Sequence, residues 1–192
     1  MALKTLVKVG NISNLSDARY CAGMGVDMLG YTAVPGRDRY IPSLLHQEIR
    51  GWISGPSTVV ELYGLARAAD LAGILEEYQP DYLEGDVALL PLLTGYPPVP
   101  LIITIETDAD LKKIAGWKDR IRYLQVKESQ RQIIQEAGND YDVLLLLQSG
   151  EQIQTILDTL PIRGIALIGS AEIRPGYKEY DDLALVLEQL EE

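Results

Sequence analysis

The stretch "LVKVGNISNLSDARYCAGMGVDMLGY", residues 6–31, carries a strand, a turn, a helix and a second strand. In its first run Val7 and Val9 alternate with Lys8 and Gly10, the two-residue period of an extended segment with one apolar face. Asn14 has the chemistry of a helix N-cap, Asp17 falls in the first turn where a negative charge is favoured, and Gly23 or Gly25 provides a stop. "MLGY" at 28–31 then resumes an extended run. A strand, a crossover helix and another strand imply a parallel βαβ unit. The first strand ends in Gly10 and Asn11, which bring neither an acid nor a nucleophile to the strand end where a barrel enzyme holds its chemistry.

The rest of the chain repeats this unit. Further strand-like runs stand at 58–63, 82–85, 101–106, 121–127, 142–147 and 164–169, making eight in all. Helical spacing appears between them and after the last. Ile153, Ile156, Leu157 and Leu160 follow the three-and-four residue rule, as do Leu183, Val186, Leu187 and Leu190. Eight alternating units predict an α/β fold, a (βα)8 TIM barrel forming one compact domain over residues 1–192, with an open doubly wound sheet as the alternative. Each unit has roughly 24 residues, so some connections must be minimal. Those after strands 2 and 4 are the weakest helix candidates, because "VPGRDRYIPS" and "LPLLTGYPPVP" are rich in Pro and Gly.

Composition narrows the partners. The hydrophobic content of 47% suits a well-filled core, and a net charge of -11 without clustered Lys or Arg argues against binding nucleic acid. The single cysteine, Cys21, excludes an internal disulfide or a cysteine-based zinc site. No apolar block at the N-terminus is long enough for a signal peptide or membrane span, so the expected setting is the cytoplasm, away from any membrane. Phe is absent while Tyr occurs 11 times, so Tyr supplies the aromatic volume.

In a parallel barrel the outward side chains meet helices and must be apolar. Assigning Val7, Val9, Val60, Leu62, Leu83, Ile103, Ile105, Leu124 and Val126 outward turns the intervening residues inward. That inward set is Lys8 and Gly10, Glu61 and Tyr63, Tyr82 and Glu84, Thr104 and Glu106, with Tyr123, Gln125 and Lys127. Such a polar interior is unusual, and its charges must pair, solvate at the mouth or bind something. Glu84, aimed at the same interior as Lys8 and Lys127, is the expected centre of a charge network. A divalent ion held by Glu61, Glu84 and Glu106 is conceivable on charge, but nothing in the spacing fixes a geometry, and no metal or other cofactor is expected.

The segment from Lys8 through "NLSDARYCAGMGVDMLGY" to "VPGRDRYI", the fourth strand "YLEG" and the C-terminal "IALIGSAEIRPGYKEYDDLALVLEQLE" resemble the phosphoribosylanthranilate isomerase family. That family consists of barrel enzymes that carry out an Amadori rearrangement in tryptophan synthesis. The resemblance implies the same fold. It also implies a cysteine base at the position of Gly10 and an aspartate acid at the position of Gln125, and neither is present. The family's glycine-rich phosphate loop after strand 6 is replaced by "KESQRQIIQEAG". Arg39 matches an arginine that contacts the anthranilate portion, and "QSG" (148–150) and "GSAE" (169–172) keep fragments of the last two phosphate loops. The expected ligand-binding set is therefore Arg39, Ser149, Gly150, Gly169 and Ser170, for a small phosphorylated or anionic metabolite.

The resulting reading is a catalytically degenerate barrel of this kind, acting as a binding or structural module. One alternative is a Schiff-base lyase or aldolase using Lys127, similar to aldolases that place a lysine on strand 6, with Glu84 or Glu106 as proton shuttle. The other is residual isomerase activity through substituted groups. Lys8, Glu84 and Lys127 are the candidate catalytic residues. Cys21 on the first helix reads as a packed apolar residue, and His46, the only histidine, as a surface residue. Asp181 and Asp182 are explained by the dipole of the last helix.

Overall fold

A computed structural model describes residues 2–147, 153–169, 172–174, 177–178 and 181–191. Eight parallel strands close into a barrel in chain order: β1 (Leu6–Gly10), β2 (Met28–Thr32), β3 (Ser57–Glu61), β4 (Tyr82–Asp86), β5 (Leu101–Ile105), β6 (Ile121–Lys127), β7 (Val143–Leu146) and β8 (Gly164–Ile168). Closure is made by β1 against β8, in register from Leu6 opposite Gly164 to Gly10 opposite Ile168. The open doubly wound alternative is thereby overturned.

The opening unit forms as its residues dictate. Asn14 has an extended backbone, and its side-chain oxygen accepts from the Asp17 N–H at 2.9 Å, starting α1 (Leu15–Gly23). Gly25, at φ 79, takes the left-handed turn that leads into β2. The two Pro-rich connections diverge. After β2 the chain folds back on itself, Ile41 N–H bonding to Thr32 O at 2.9 Å, before α2 (Ser43–Arg50) starts behind Pro42. After β4 only a 3-10 helix forms, Val87–Leu93, with Pro91 inside it. Proline lacks the N–H an α-helix would need, which accounts for the tighter, shorter turn. The remaining helices are α3 (Leu71–Tyr78), α4 (Asp108–Ile114), α5 (Arg131–Ala137), α6 (Ile153–Thr159) and α7 (Asp181–Gln189). A short antiparallel pair, β9 (Glu172–Arg174) with β10 (Tyr177–Lys178), lies between β8 and α7 and was not legible in the sequence.

The outward apolar set is where alternation predicted. Val7, Val9, Val60, Leu62, Leu83, Ile103, Ile105, Leu124 and Val126 are each at most 1% exposed, within the shell between barrel and helices. The α6 and α7 periodicities supply the facing side, with Ile153, Ile156, Leu183, Val186, Leu187 and Leu190 buried. The interior is a different matter. Met28, Val59, Ile102, Tyr123, Leu144 and Ala166 form a second, separate apolar cluster inside the barrel, with Leu6, Tyr82 and Leu146 packed on it. The polar interior expected from alternation is thus confined to the layer above. Alternation carries no signal for this layer in β7 and β8, which are apolar on both faces, or in β2 before Thr32.

No described helix is long and apolar enough to cross a membrane.

Candidate functional site

Strand register brings the polar layer together. Thr32 stands opposite Glu61, Glu61 opposite Glu84, and Thr104 opposite Gln125. Two carboxylates side by side on neighbouring strands repel each other. Lys8 reaches between them from β1, with Nζ 2.6 Å from Glu84 Oε2 and 3.3 Å from Glu61 Oε1. All three are nearly sealed from solvent, with Lys8 2%, Glu61 4% and Glu84 1% exposed.

The remaining lone pairs are taken up locally. Glu61 also accepts from the Asn11 N–H at 3.3 Å and from Thr32 Oγ1 at 3.1 Å. Glu84 Oε1 accepts from the Tyr63 hydroxyl at 2.8 Å and from Gln125 Nε2 at 3.3 Å. Tyr63 Oη lies 2.6 Å from Thr104 Oγ1, and Gln125 Nε2 donates to Thr104 Oγ1 at 3.2 Å. The titration shifts follow from this geometry. Burial alone would lower the Lys8 pKa, but the Glu84 and Glu61 carboxylates outweigh it and raise the ammonium above its ordinary value. Burial raises Glu84, a shift that Lys8 opposes and Glu61 reinforces. Tyr63 is held well above its usual range by burial first and by Glu84 next. An ammonium kept protonated is no nucleophile, and both carboxylates are already engaged by Lys8 and by neighbouring donors.

The packing of Glu61 explains two glycines. A Cβ on Gly10 would stand 2.5 Å from Glu61 Oε1, and one on Gly30 would stand 2.2 Å from the same atom. Any larger residue at either position competes with the carboxylate for the same space. Glu61 therefore fills the floor of the mouth next to Gly10, the position at which the resemblance implies a catalytic side chain. Sequence reading placed Glu61 inward but not among the site residues. The available signal was its strand position level with Glu84, which demanded a cation between them.

The other sequence-chosen residues divide. Arg39, with a left-handed backbone at φ 56, crosses the mouth and its Nη1 donates to Gly169 O. Gly169 N–H in turn bonds to Gly10 O at 2.9 Å, tying the end of β8 to the end of β1. Ser149, Gly150 and Ser170 lie outside the described residues. Lys127 corrects the expectation that it shares an interior with Glu84. It ends β6 at the rim, its side chain 39% exposed and paired with Glu106 at 2.7 Å, while Gln125 takes the place beside Glu84. Among the described residues no three metal-ligating side chains converge. The three carboxylates that charge alone would offer a divalent ion are separated, Lys8 standing between Glu61 and Glu84 and Glu106 lying on the rim.

Cys21 is packed in the core, 1% exposed. His46 is not a surface residue: it is fully buried on the inner side of α2, edge-on to Tyr31 at 4.7 Å between ring centres and 5.1 Å from Tyr78. Neither ring nitrogen has a hydrogen-bond partner among the described residues. Burial, with a smaller effect from Arg50, pushes its pKa down to about 4. A base with a depressed folded pKa supplies stability above its unfolded value near 6.5 that disappears as pH falls toward the folded value. Acid should therefore cost the native state on the order of 2 kcal/mol between about pH 6.5 and 4 through this residue. Urea titrations across that window check it, since His46→Leu should flatten the slope and an unchanged slope would refute the assignment.

No family model matches the chain. The N-(5'-phosphoribosyl)anthranilate isomerase of Bordetella petrii is 26% identical over 82 residues, which are 43% of this chain and 37% of that enzyme's length. The match thus spans well under half of the curated relative. A structure of monomers of the dimeric phosphoribosylanthranilate isomerase of Thermotoga maritima superposes with a TM-score of 0.76 at 16% identity, covering 97% of this chain and 98% of that one. A phosphoribosylanthranilate isomerase in complex with reduced 1-(o-carboxyphenylamino)-1-deoxyribulose 5-phosphate also gives a TM-score of 0.76, at 15% identity and 96% and 97% coverage. The chain therefore has the fold of the phosphoribosylanthranilate isomerases, and part of its sequence resembles one of them.

Proposed function

We propose that this protein is a divergent relative of those isomerases that has lost the isomerase reaction and works in the cytoplasm as a binding or structural module. The observation that carries this reading is the closed floor of the mouth. Glu61 occupies the space of a side chain at Gly10, and both of its oxygens are engaged. No free base remains there, and Gln125, at the position where the resemblance implies an acid, has an amide that does not ionise at usable pH. The ligand class best suited to the remaining groups is a small phosphorylated or anionic metabolite, with Arg39 and Gly169 at the C-terminal end of the strands as its described partners and Ser149, Gly150 and Ser170 as those the resemblance implies. A structural neighbour in complex with a sugar 5-phosphate supports that class. The Lys127 lyase alternative gains nothing from the geometry, because Lys127 is on the rim in a solvated pair with Glu106.

Loss of a proton-transfer group removes on the order of 10²-fold to 10⁴-fold in rate, so phosphoribosylanthranilate should not be turned over measurably. Anthranilate fluorescence provides the assay, and turnover at an ordinary enzyme rate would show the reading to be wrong. Amide shifts of Gly169 and its neighbours on phosphate titration would support the ligand class. A spectrum unmoved by phosphate would remove it.

A further inference from the structure

The floor of the mouth is shaped around a carboxylate. Gly10 and Gly30 leave it space, since a Cβ on either would come within 2.5 Å of Glu61 Oε1. Three donors converge on that space, none of them from the strand that carries Glu61. Lys8 Nζ stands 3.3 Å from Oε1, the Asn11 N–H reaches both oxygens at 3.3 Å, and Thr32 Oγ1 is 3.1 Å from Oε2. Lys8 and Thr32 are themselves buried.

The donors belong to β1, its end and β2 rather than to Glu61. Asn11 holds a left-handed backbone at φ 57, a conformation Asn tolerates better than most residues, and its side-chain oxygen lies 3.3 Å from Thr32 Oγ1, linking the two donors. An ammonium, a backbone N–H and a hydroxyl facing one planar two-oxygen group are the elements of carboxylate recognition. Room narrows the choice further. The carboxyl group fills the space against Gly10 and Gly30 so closely that a tetrahedral phosphate or an aromatic acid is too large for it.

We propose that the floor of the mouth is a site for a small aliphatic carboxylate, of the size of formate or acetate, which Glu61 of this chain fills as a built-in occupant. In the parent protein that side chain keeps external acids off the floor and confines a ligand of the mouth to the rim beside Arg39 and Gly169. The inference rests on the same closed floor as the proposed function, but the two fail separately. Turnover of phosphoribosylanthranilate counts against the lost reaction, whereas acetate titration reads the floor alone.

The test begins with Glu61→Ala, which removes the occupant and leaves all three donors. Acetate should then move the Asn11 amide of the isotopically labelled full-length variant in a saturable way, with a Kd of roughly 10 mM for so small a ligand. Acetamide, the neutral isostere, and benzoate should give no saturable shift, and acetate should leave Asn11 unmoved in the parent protein. Adding Glu84→Gln leaves Lys8 without an anion, so acetate should bind at least about fivefold more tightly, and adding Lys8→Met to that pair should abolish binding. Where Glu61→Ala does not fold in plain buffer, about 100 mM sodium acetate should restore its thermal transition, while sodium chloride and acetamide should not. No saturable shift in folded Glu61→Ala, no rescue of an unfolded one, an equal effect of acetamide or chloride, binding that survives Lys8→Met, or a shift of Asn11 in the parent would each overturn the proposal.

Discussion

Lys8→Met is expected to lower the unfolding free energy by roughly 3–5 kcal/mol near neutral pH, the scale of a buried charge left without its partner. The substitution keeps the length of the side chain but strands Glu61 and Glu84, which are level on adjacent strands and at most 4% exposed. The remaining donors, Tyr63, Gln125, Thr32 and the Asn11 N–H, satisfy hydrogen bonding but carry no positive charge. The deficit should shrink as pH falls, because protonating one of the stranded carboxylates removes the repulsion. Adding Glu61→Gln and Glu84→Gln to Lys8→Met should recover most of the loss, since a neutral polar layer needs no counter-ion. Urea unfolding of the single and triple variants across pH reads this directly. A single variant as stable as the parent at pH 7 would mean that Lys8 does not hold the layer together.

The second large effect is at Gly30. Gly30→Ala puts a Cβ 2.2 Å from Glu61 Oε1 and 3.0 Å from the backbone Cα of Gly10. A flexible surface carboxylate would swing aside, but this one is fixed by Lys8, Asn11 and Thr32 and has no room to move. Overpacking of this kind should cost about 3 kcal/mol. Combining it with Glu61→Ala removes the atom that clashes, so the double variant should be more stable than the sum of the single losses by at least about 1 kcal/mol. Simple additivity in that cycle would mean that Glu61 does not fill the space beside Gly10 and Gly30. The proposed explanation for the lost isomerase chemistry would then fall with it.

By itself the sequence determined the eight alternating strand and helix units and favoured the barrel over an open sheet, though not the β9–β10 pair. Period-two runs such as Val7 and Val9, period-3.6 runs such as Leu183, Val186 and Leu187, and the Asn14 cap are local signals, set by which side chains must leave water and which backbone donors need a partner. It also determined that charge lies inside, because Lys8, Glu61 and Glu84 alternate with residues that can only face the helices. Which charges meet was decided by the tertiary structure. Barrel closure and strand register set Lys8 between two glutamates more than fifty residues away, and left Lys127 one step too high, at the rim with Glu106. The fate of His46 was decided the same way: a polar residue in a short helix reads as exposed until Tyr31 and Tyr78, from a strand and from another helix, are found around it. The glycines at 10 and 30 carry no local message either, for neither has a positive φ, and their reason is a carboxylate delivered from β3. Pairings of this kind depend on distances across the closed barrel, where each strand's height relative to its neighbours decides which side chains share a layer.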